Sequence, residues 1–320
     1  MNLKEKRIYI AGSGGMVGSA IKKSLEEKNY KNLICKSSKE LNLIDQSRVE
    51  SFFSDYKPEI VIVSAAKVGG IGANNNYRAE FIYNNLMIEA NLIHSSYKNN
   101  VEKLIFLGSS AVYPKFAAQP VKEEELLAGF LEPTIEPYAV AKIAGIKLCE
   151  NYYRQYGCNF ISATPTNLYG ERDNFDLENS HVIPALIRKF HEAKIKNDEK
   201  VILWGTGEAR REFLYADDLA DAIVFLLENV NAGDLYGRGL AHLNVGTGED
   251  VQIKELALII KQVTGFRGSI EQDTTKPDGA PRRLLDVSRM NESGWNYKTS
   301  LDEGLRKTYD WFLRDSARRN

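Results

Sequence analysis

The chain has few of the residues that build metal centres or disulfide frameworks, with 3 cysteines and 4 histidines among 320 residues. Cys35, Cys149 and Cys158 form no closely spaced pair of the kind that zinc sites use, so we predict no metal site. An odd number of cysteines without a secretory pattern is typical of reduced thiols in the cytoplasm. Long apolar runs are missing too, since no stretch approaches the roughly 20 apolar residues that cross a bilayer and no apolar signal region opens the chain. We therefore expect a cytoplasmic protein without membrane contacts.

Charge of one sign is not in excess, because 42 lysines and arginines face 43 acidic residues and the formal net charge is -1. No long block of like charges indicates a nucleic-acid arm or a membrane patch. These absences exclude nucleic acid and membranes as predicted partners and leave small molecules. At this length the chain can bury a large core, and we favour a main domain with a smaller second one.

Short β-branched runs alternate with amphipathic segments through the first half of the chain. The predicted strands are Arg7–Ala11, Asn32–Cys35, 59–64, Lys103–Leu107 and 159–164, and the predicted helices are 17–28, Gln46–Tyr56, 79–99 and 138–156. Because such alternation produces βαβ units, we predict an α/β fold with a doubly wound parallel sheet.

The pattern loosens after Gly170. A helix begins near Ser180, a strand covers 200–205, Asp217 and Asp218 open another helix as capping acids, and a late strand returns at 242–246. We predict a dinucleotide-binding domain of residues 1–170, with returning segments near 205–246. A discontinuous α/β substrate domain then takes 171–204 and 247–320.

A glycine-rich turn follows the first predicted strand. Gly12, Gly15 and Gly18 lie three residues apart where that strand ends and the first helix begins. Glycines there permit a tight turn and a close backbone approach, and the helix N-terminus offers unpaired N–H groups to a pyrophosphate. A glycine triplet can also be a simple turn, but this position between a strand and a helix favours a dinucleotide site.

The end of the second strand bears on which dinucleotide binds. NAD-binding folds usually place an acidic residue there to contact the ribose hydroxyls. This chain has Cys35-Lys-Ser-Ser-Lys-Glu40, with hydroxyls and two lysines at that point. Those groups suit a 2'-phosphate, so the pattern favours NADP over NAD, and a solvated surface loop is the plainer alternative.

A tyrosine and a lysine four residues apart mark a candidate catalytic site. Tyr138 and Lys142 share one face of a predicted helix, so the ammonium can favour the phenolate, whose reference pKa is about 10. A phenol tuned in this way can pass a proton near neutral pH, and Ser109 can hold a carbonyl oxygen against it. The same spacing occurs on many solvated helices. The glycine turn and the Ser109-Ser110 pair make reductive chemistry the better interpretation.

With these motifs in place, the chain resembles the extended short-chain dehydrogenases/reductases that act on nucleotide sugars, and more closely the GDP-L-fucose synthase family. The resemblance runs almost from end to end, in blocks such as Pro165-Thr-Asn-Leu-Tyr-Gly170, Asn179-Ser-His-Val-Ile-Pro-Ala185 and Lys276-Pro-Asp-Gly-Ala-Pro-Arg282. It implies a Rossmann domain with a smaller C-terminal substrate domain, a homodimer packed through two helices of each subunit, NADPH as hydride donor and a GDP-4-keto sugar as substrate.

The resemblance also implies roles for individual residues. Ser109, Tyr138 and Lys142 match the reductase triad, and His181 matches the residue beside the sugar. The implied cofactor-binding residues are Gly12, Gly14, Gly15, Met16, Val17, Gly18, Lys36, Ser37, Ser38, Asn42, Leu43, Ala65, Ala66, Leu107, Gly108, Lys142, Pro165, Asn167, Leu168 and His181. The implied substrate-binding residues are Ser110, Ala111, Asn167, Lys189, Trp204, Arg211, Asp278 and Arg283. Plainer interpretations are a core position for Trp204 and solvated charges for Lys189 and Arg283.

Some positions depart from the family pattern. Gly14 stands where the family commonly has arginine and Ser38 where it has another basic residue, so binding of a 2'-phosphate depends on Lys36, Lys39 and the serines. Ala111 stands where the family has cysteine.

The alanine changes the predicted reaction. Epimerisation beside a ketone needs one group to remove a proton and another to return one on the opposite face, and in the family the cysteine and the histidine take these parts. Alanine carries no proton, and losing a positioned acid or base typically costs about 10²- to 10⁴-fold in rate. We therefore predict a C4 reductase of a GDP-4-keto hexose or heptose with little or no C3/C5 epimerase activity. The alternatives are a bifunctional epimerase-reductase, a 4-epimerase that recycles NAD, a 4,6-dehydratase and a catalytically silent NADP-sensing protein.

Overall fold

The computed structural model describes residues 3–177, 180–276 and 280–319. Its strands are β1 (Arg7–Ala11), β2 (Asn32–Cys35), β3 (Ile60–Val63), β4 (Lys103–Leu107), β5 (Phe160–Pro165), β6 (Asn167–Tyr169), β7 (Lys200–Trp204), β8 (Arg210–Tyr215), β9 (Leu243–Val245), β10 (Asp250–Gln252), β11 (Ser269–Asp273) and β12 (Arg282–Arg283). Its helices are α1 (Met16–Glu27), α2 (Gln46–Tyr56), α3 (Ile71–Asn76), α4 (Arg78–Lys98), α5 (Glu136–Tyr156), α6 (Val182–Lys196), α7 (Ala216–Asn229), α8 (Ala232–Tyr236), α9 (Ile253–Thr264), α10 (Ser288–Glu292) and α11 (Leu301–Arg319). Within these residues, no helix has the length and apolar character that a membrane span requires.

A six-stranded parallel sheet forms the centre of the first part, in the order β2-β1-β3-β4-β5-β9. Alternate residues of β1 face opposite sides, so that Ile8 and Ile10 join one core and Tyr9 joins the other. α1 and α7 supply the first core, and α2, α4 and α5 supply the second. The predicted α/β class with a Rossmann-like, doubly wound parallel sheet is confirmed.

A second group of strands is built around β8. The first half of β8 pairs antiparallel with β10 and parallel with β12, and its second half pairs parallel with β6. A separate parallel pair joins β7 to β11. Helices α6, α9 and α11 cover these strands with a third core that includes Phe190, Ile260 and Leu305.

The hydrogen-bond partners shift two of the predicted segments. β8 lies in the segment near 205–246 that we expect to return to the central sheet, yet it belongs to the second group, so only α7, α8 and β9 return. β6, inside the predicted segment 1–170, also pairs with β8. An apolar run shows that a strand is buried but does not show which neighbour receives its hydrogen bonds.

The predicted caps of α7 need a correction. Tyr215 is the N-cap residue and its side chain makes no capping hydrogen bond, whereas Asp217 and Asp218 lie in the first turn of the helix. Carboxylates at that position interact favourably with the helix dipole without capping it. Asp218 instead accepts a hydrogen bond from the Thr299 backbone N–H at 2.9 Å.

Candidate active site

The predicted site residues gather where the strands of the central sheet end. Ligands of open parallel sheets bind outside these carboxyl ends, at the point where the strand order reverses, which here lies between β1 and β3. The residues placed there are Gly12 after β1, Met16 and Val17 in the first turn of α1, Lys36 after β2, Ala65 and Ala66 after β3, Leu107, Gly108 and Ser109 at β4, and Pro165 at the end of β5. Asn167 and Leu168 continue into β6.

The glycine turn brings β1 close to β3. Gly12 has a φ of +88°, and a Cβ atom there would lie 2.7 Å from the Ala65 backbone nitrogen. Gly18 on α1 packs so closely that a Cβ atom would lie 2.1 Å from the Gly12 carbonyl oxygen. Both contacts require glycine.

The N-terminus of α1 suits an anion. Gly15 is its N-cap residue and has no side chain that could cap the first N–H groups. A Cβ atom at Gly14 would meet no atom within 4 Å, so the turn is open on that side. Unpaired N–H groups at a helix N-terminus favour a phosphate, and these residues therefore fit the pyrophosphate of a dinucleotide.

The loop after β2 holds one cation close to the sheet. Lys36 Nζ donates a hydrogen bond to the Tyr56 hydroxyl at 2.7 Å and lies 4.5 Å from the centre of that ring. Glu40 folds back and accepts hydrogen bonds from the Ser37 N–H at 2.8 Å and the Ser37 hydroxyl at 2.6 Å, and the hydroxyl's bond is the larger reason that the pKa of this carboxyl is lowered. Ser38 is exposed. The loop thus offers a lysine and serines to a ligand but also carries a carboxylate.

The turn that leads into α2 is held by two amide side chains. Asn42 accepts a hydrogen bond from the Ile44 N–H at 3.1 Å, and the Leu43 carbonyl accepts one from Asn91 of α4 at 2.9 Å. These contacts position the loop beside the carboxyl ends of β1 and β2.

The structure brings Ser109, Tyr138 and Lys142 together at the end of β4. Ser109 begins a short 3₁₀ helix, Ser110–Val112, and its hydroxyl accepts a hydrogen bond from the Ala111 N–H at 3.3 Å. Burial raises the pKa of the Tyr138 phenol, while the Lys142 ammonium and a hydrogen bond with Ser109 act in the opposite direction. The phenol therefore stays protonated and can donate its proton.

Lys142 is almost fully buried on the face of α5 that meets β4. Its Nζ atom donates a hydrogen bond to the Leu107 carbonyl at 2.9 Å and lies 4.6 Å from the centre of the Phe106 ring and 5.9 Å from that of Tyr138. Burial lowers the pKa of this ammonium, but Glu89, with Tyr138, raises it further, so the net shift is upward.

Glu89 is a site residue that the sequence pattern does not reveal. It lies on α4, its side chain is 1 % exposed, and its Oε1 atom is 3.0 Å from Lys142 Nζ. The sequence signal for Glu89 is weak, because it is an acidic residue among the apolar residues of a helical segment and no motif includes it.

His181 is the N-cap residue of α6, and its side chain is exposed to solvent. The surrounding protein nevertheless lowers the pKa of the imidazole by desolvation, so the neutral ring prevails at neutral pH. A neutral imidazole can accept a proton at one nitrogen and donate one at the other.

The three cysteines do not supply a thiol in place of Ala111. Cys149 is fully buried, and burial raises its pKa to about 12, so it holds its proton at neutral pH. Cys158 follows α5, and burial raises its pKa also. Cys35 ends β2, three strands from β4 in the sheet, which is about 14 Å at the usual strand spacing.

Trp204 forms an exposed aromatic surface on β7. Its side chain is 61 % exposed, which rules out the core position that a tryptophan often takes. Lys189 Nζ lies 4.8 Å and Lys276 Nζ lies 5.7 Å from its ring. Burial lowers the pKa of Lys189. Two cations around an accessible ring suit an aromatic ligand that carries phosphates.

Arg211 and Arg283 are neighbours across β8 and β12, where they are register partners. Arg283 donates a hydrogen bond to the Pro114 carbonyl at 3.0 Å, and this contact ties β12 to the loop that follows Ala111. Burial lowers the pKa of Arg283, which still remains a cation. Asp278, also predicted to bind substrate, lies outside the described residues.

Comparison with known proteins gives matches over most of the chain. Residues 8–246 match the model of the family described as "NAD dependent epimerase/dehydratase family". "GDP-L-fucose synthase 1" of Arabidopsis thaliana is 54 % identical over 319 residues, which cover 100 % of this chain and 97 % of that protein.

Two solved structures are similar over nearly the whole chain. A GDP-6-OMe-4-keto-L-xylo-heptose reductase from Campylobacter jejuni is 40 % identical with a TM-score of 0.93, covering 98 % of this chain and 99 % of that one. A GDP-mannoheptose C4 reductase from Campylobacter jejuni with NADP bound is 42 % identical with a TM-score of 0.90, covering 98 % of this chain and 99 % of that one.

Proposed function

Because the chain belongs to the NAD dependent epimerase/dehydratase family, and within it to the GDP-L-fucose synthase family, we propose that it reduces the C4 ketone of a GDP-4-keto sugar with NADPH. The sugar is a 6-deoxyhexose or a heptose. The observation that carries this proposal is the assembly of Ser109, Tyr138 and Lys142 beside an alanine at position 111. The site has the groups that reduction needs and lacks one of the two that epimerisation needs.

NADP is the dinucleotide that fits this chain, since the related GDP-mannoheptose C4 reductase has been solved with NADP bound. The uncapped N-terminus of α1 would hold the pyrophosphate, and Lys36 with Ser37 and Ser38 would hold the 2'-phosphate. When bound, the reduced cofactor supplies a hydride to the C4 carbon of the sugar.

The chain's own residues carry the proton. The Ser109 hydroxyl donates a hydrogen bond to the C4 oxygen and holds it against the Tyr138 phenol. Tyr138 passes its proton to that oxygen as negative charge develops there. The Lys142 ammonium, 5.9 Å from the phenol ring centre, stabilises the phenolate that remains.

Epimerisation is disfavoured because His181 has no partner at position 111. Inverting C3 or C5 requires proton carriers on both faces of the ring, and a methyl group carries none. The buried Cys149 cannot replace the thiol, since its raised pKa of about 12 keeps it protonated.

The bifunctional GDP-L-fucose synthase reaction is the second candidate. The observation that favours it is overall identity, which is 54 % to GDP-L-fucose synthase 1 of Arabidopsis thaliana and 40 to 42 % to the two heptose reductases. We give more weight to position 111, because identity averages over the chain whereas proton transfer depends on single groups.

The GDP moiety would bind on the second part of the fold. Trp204 offers a face for the guanine base, and Lys189 beside it offers a charge for the diphosphate. Arg211 and Arg283, paired across β8 and β12, add further cations toward the active site.

The enzyme would act as a homodimer through α4 and α5. These helices pack against each other, and Tyr83 on α4 and Val140 on α5 expose 58 % and 38 % of their side chains. Apolar side chains on neighbouring helices suit a four-helix contact between two copies. Light scattering of the purified protein tests this, and a monomer at micromolar concentration would rule it out.

A substrate panel tests the proposed reaction. NADPH oxidation is followed with GDP-4-keto-6-deoxymannose and with GDP-4-keto heptoses, and each product is analysed by NMR. We expect turnover with at least one sugar, a new C4 hydroxyl and unchanged configuration at C3 and C5. Failure with every sugar contradicts the reductase assignment, and inverted C3 and C5 centres favour the bifunctional enzyme.

A further inference from the structure

A buried ion pair links α4 to the catalytic lysine. Glu89 Oε1 lies 3.0 Å from Lys142 Nζ, and the two side chains are 1 % and 3 % exposed. Apart from this pair, neither carboxylate oxygen of Glu89 has a hydrogen-bond partner among the described residues. Burial raises the pKa of Glu89 to about 7, although Lys142 lowers it, so the carboxylate is ionised at the alkaline pH values where Lys142 and Tyr138 lose their protons.

The fold makes room for this carboxylate. Gly145 lies one turn after Lys142 on α5, and a Cβ atom there would be 2.9 Å from Glu89 Oε2 and 2.3 Å from the Phe106 ring. A side chain at position 145 would therefore push Glu89 or Phe106 away from the lysine. The glycine, the ring and the carboxylate form one closely packed pocket for the ammonium.

We infer that Glu89 is a positioning residue that keeps Lys142 protonated and pointed at the Leu107 carbonyl, and that it thereby sets the pH range in which Tyr138 can donate its proton. This inference rests on the proposed reductase activity. The titratable groups that share electrostatic interactions with Glu89 are Lys142, Tyr138 and Cys149, all on α5. The β4 side chain beside the pair is the uncharged ring of Phe106.

The direction of the effect follows from charge. Burial alone lowers the pKa of Lys142, and the Glu89 carboxylate opposes it. The carboxylate also raises the pKa of Tyr138. Removing its negative charge therefore makes the first proton of the Lys142–Tyr138 pair easier to lose, whichever of the two groups loses it.

The pH dependence of kcat/KM tests the inference, with Glu89→Gln as the variant. Glutamine keeps the shape and removes the charge, and we expect the alkaline limb of kcat/KM for ketone reduction to move about one pH unit or more toward neutrality. Glu89→Asp keeps the charge and should keep the limb near its wild-type position. Glu150→Gln is the matched control, because Glu150 is a partly buried carboxylate of α5 that pairs with Lys147 and Arg154 outside the site.

A second measurement does not depend on the substrate. The free energy of unfolding is measured from pH 7 to 9.5 for Glu89→Gln and for the double variant Glu89→Gln/Lys142→Met. If Lys142 loses its proton at a lower pH when Glu89 is absent, the folded state binds fewer protons than the unfolded state in this range. The free energy of unfolding of Glu89→Gln then rises with pH relative to that of Glu89→Gln/Lys142→Met. Compared with the same double variant, the wild type should show no such gain in this range, because its Lys142 pKa is raised and its Glu89, whose pKa burial raises to about 7, is mostly ionised at the alkaline end of it.

The outcomes separate the two proposals. If the wild type oxidises no NADPH with any GDP-4-keto sugar, the proposed function fails, and the unfolding comparison still decides the role of Glu89. The inference is wrong, and Glu89 is a structural residue only, if folded Glu89→Gln keeps the wild-type alkaline limb of kcat/KM. It is also wrong if the difference in free energy of unfolding between Glu89→Gln and the double variant does not change with pH.

Discussion

At the scale of single residues, the account depends on three side chains and one that is missing. The Tyr138 phenol is held between the Ser109 hydroxyl and the Lys142 ammonium, and Ala111 adds no proton carrier to the same turn. The proposed reaction is therefore limited to the proton transfers that these groups can make with the substrate. Removing the oxygen of Tyr138 would remove the proposed proton donor, and adding a sulfur at Ala111 would add a proton carrier.

Tyr138→Phe should abolish most of the reduction while leaving the cofactor bound. The ring remains and the proton is lost, so we expect kcat to fall about 10²- to 10⁴-fold. NADPH affinity, measured by fluorescence titration, should change only a few-fold. Tyr156→Phe, at an exposed position late in α5, is the control and should retain wild-type turnover. A Tyr138→Phe enzyme within tenfold of the wild type would exclude this tyrosine as the proton donor.

Some contacts of these residues can be predicted from the sequence and others cannot. Tyr138 and Lys142 are four apart on one helix, so their contact follows from helix geometry alone. Glu89 reaches the same lysine from a different helix, and no local pattern encodes a contact between α4 and α5. Glu40 is visible in the sequence, but its return to Ser37 depends on the loop conformation.

At the scale of elements, the site depends on how closely β1, β3 and α1 approach one another. The contact of Gly12 with Ala65 and the contact of Gly18 with Gly12 leave no space for a side chain. These contacts bring the uncapped N-terminus of α1 to the end of the sheet. The approach of the three elements creates the proposed anion site.

Gly12→Ala should weaken both the fold and dinucleotide binding. A positive φ at a non-glycine residue costs about 1–3 kcal/mol, and a Cβ atom 2.7 Å from the Ala65 backbone nitrogen adds to it. We expect a lower free energy of unfolding and a weaker NADPH complex, measured by denaturant titration and fluorescence. Gly14→Ala is the matched control, and its free energy of unfolding should stay near that of the wild type, because its Cβ atom would meet no atom within 4 Å. Equal stability of the two variants would show that the turn can move, contrary to this description.

Strand pairing is the least predictable part of the fold. The β-branched runs of the first half predict its parallel strands, and these strands are confirmed. The short strands β6, β10 and β12 are only two or three residues long, and their pairing with β8 depends on segments far apart in sequence. The alternation of apolar and polar residues that predicts a strand cannot be recognised over so few residues.

At the scale of the whole molecule, a buried histidine links the central sheet to the segment that follows the 3₁₀ helix Ser110–Val112. His242 lies just before β9 and is 0 % exposed, and its Nε2 atom is 2.6 Å from the Tyr113 hydroxyl. Burial lowers the pKa of His242 to about 3, so the ring is neutral in the folded protein.

This histidine should make stability depend on pH in the acid range. The unfolded chain takes up a proton below about pH 6.5, the ordinary pKa of histidine, whereas the folded chain does not until about pH 3. Stability from neutral His242 is therefore present above pH 6.5 and is lost as pH falls toward 3, by at most about 1.4 kcal/mol per pH unit.

The comparison is made with His242→Gln, which keeps a polar side chain and removes the titration. The difference in the free energy of unfolding between wild type and variant should narrow as pH falls from 7 to 4. The exposed His94→Gln variant controls for a histidine that is not buried. A difference that stays constant over this range would show that His242 is charged in the folded state or does not contribute.

Isotope exchange tests the central claim most directly. The unaltered enzyme is incubated in deuterated water with a GDP-4-keto sugar and oxidised NADP, and deuterium at C3 and C5 is followed by NMR. We predict no deuterium at C3 or C5 with inverted configuration, rapid C4 reduction by the same preparation once NADPH is supplied, and labelling with inversion in Ala111→Cys. Rapid labelling of C3 or C5 with inversion by the unaltered enzyme would contradict a reductase without epimerase activity.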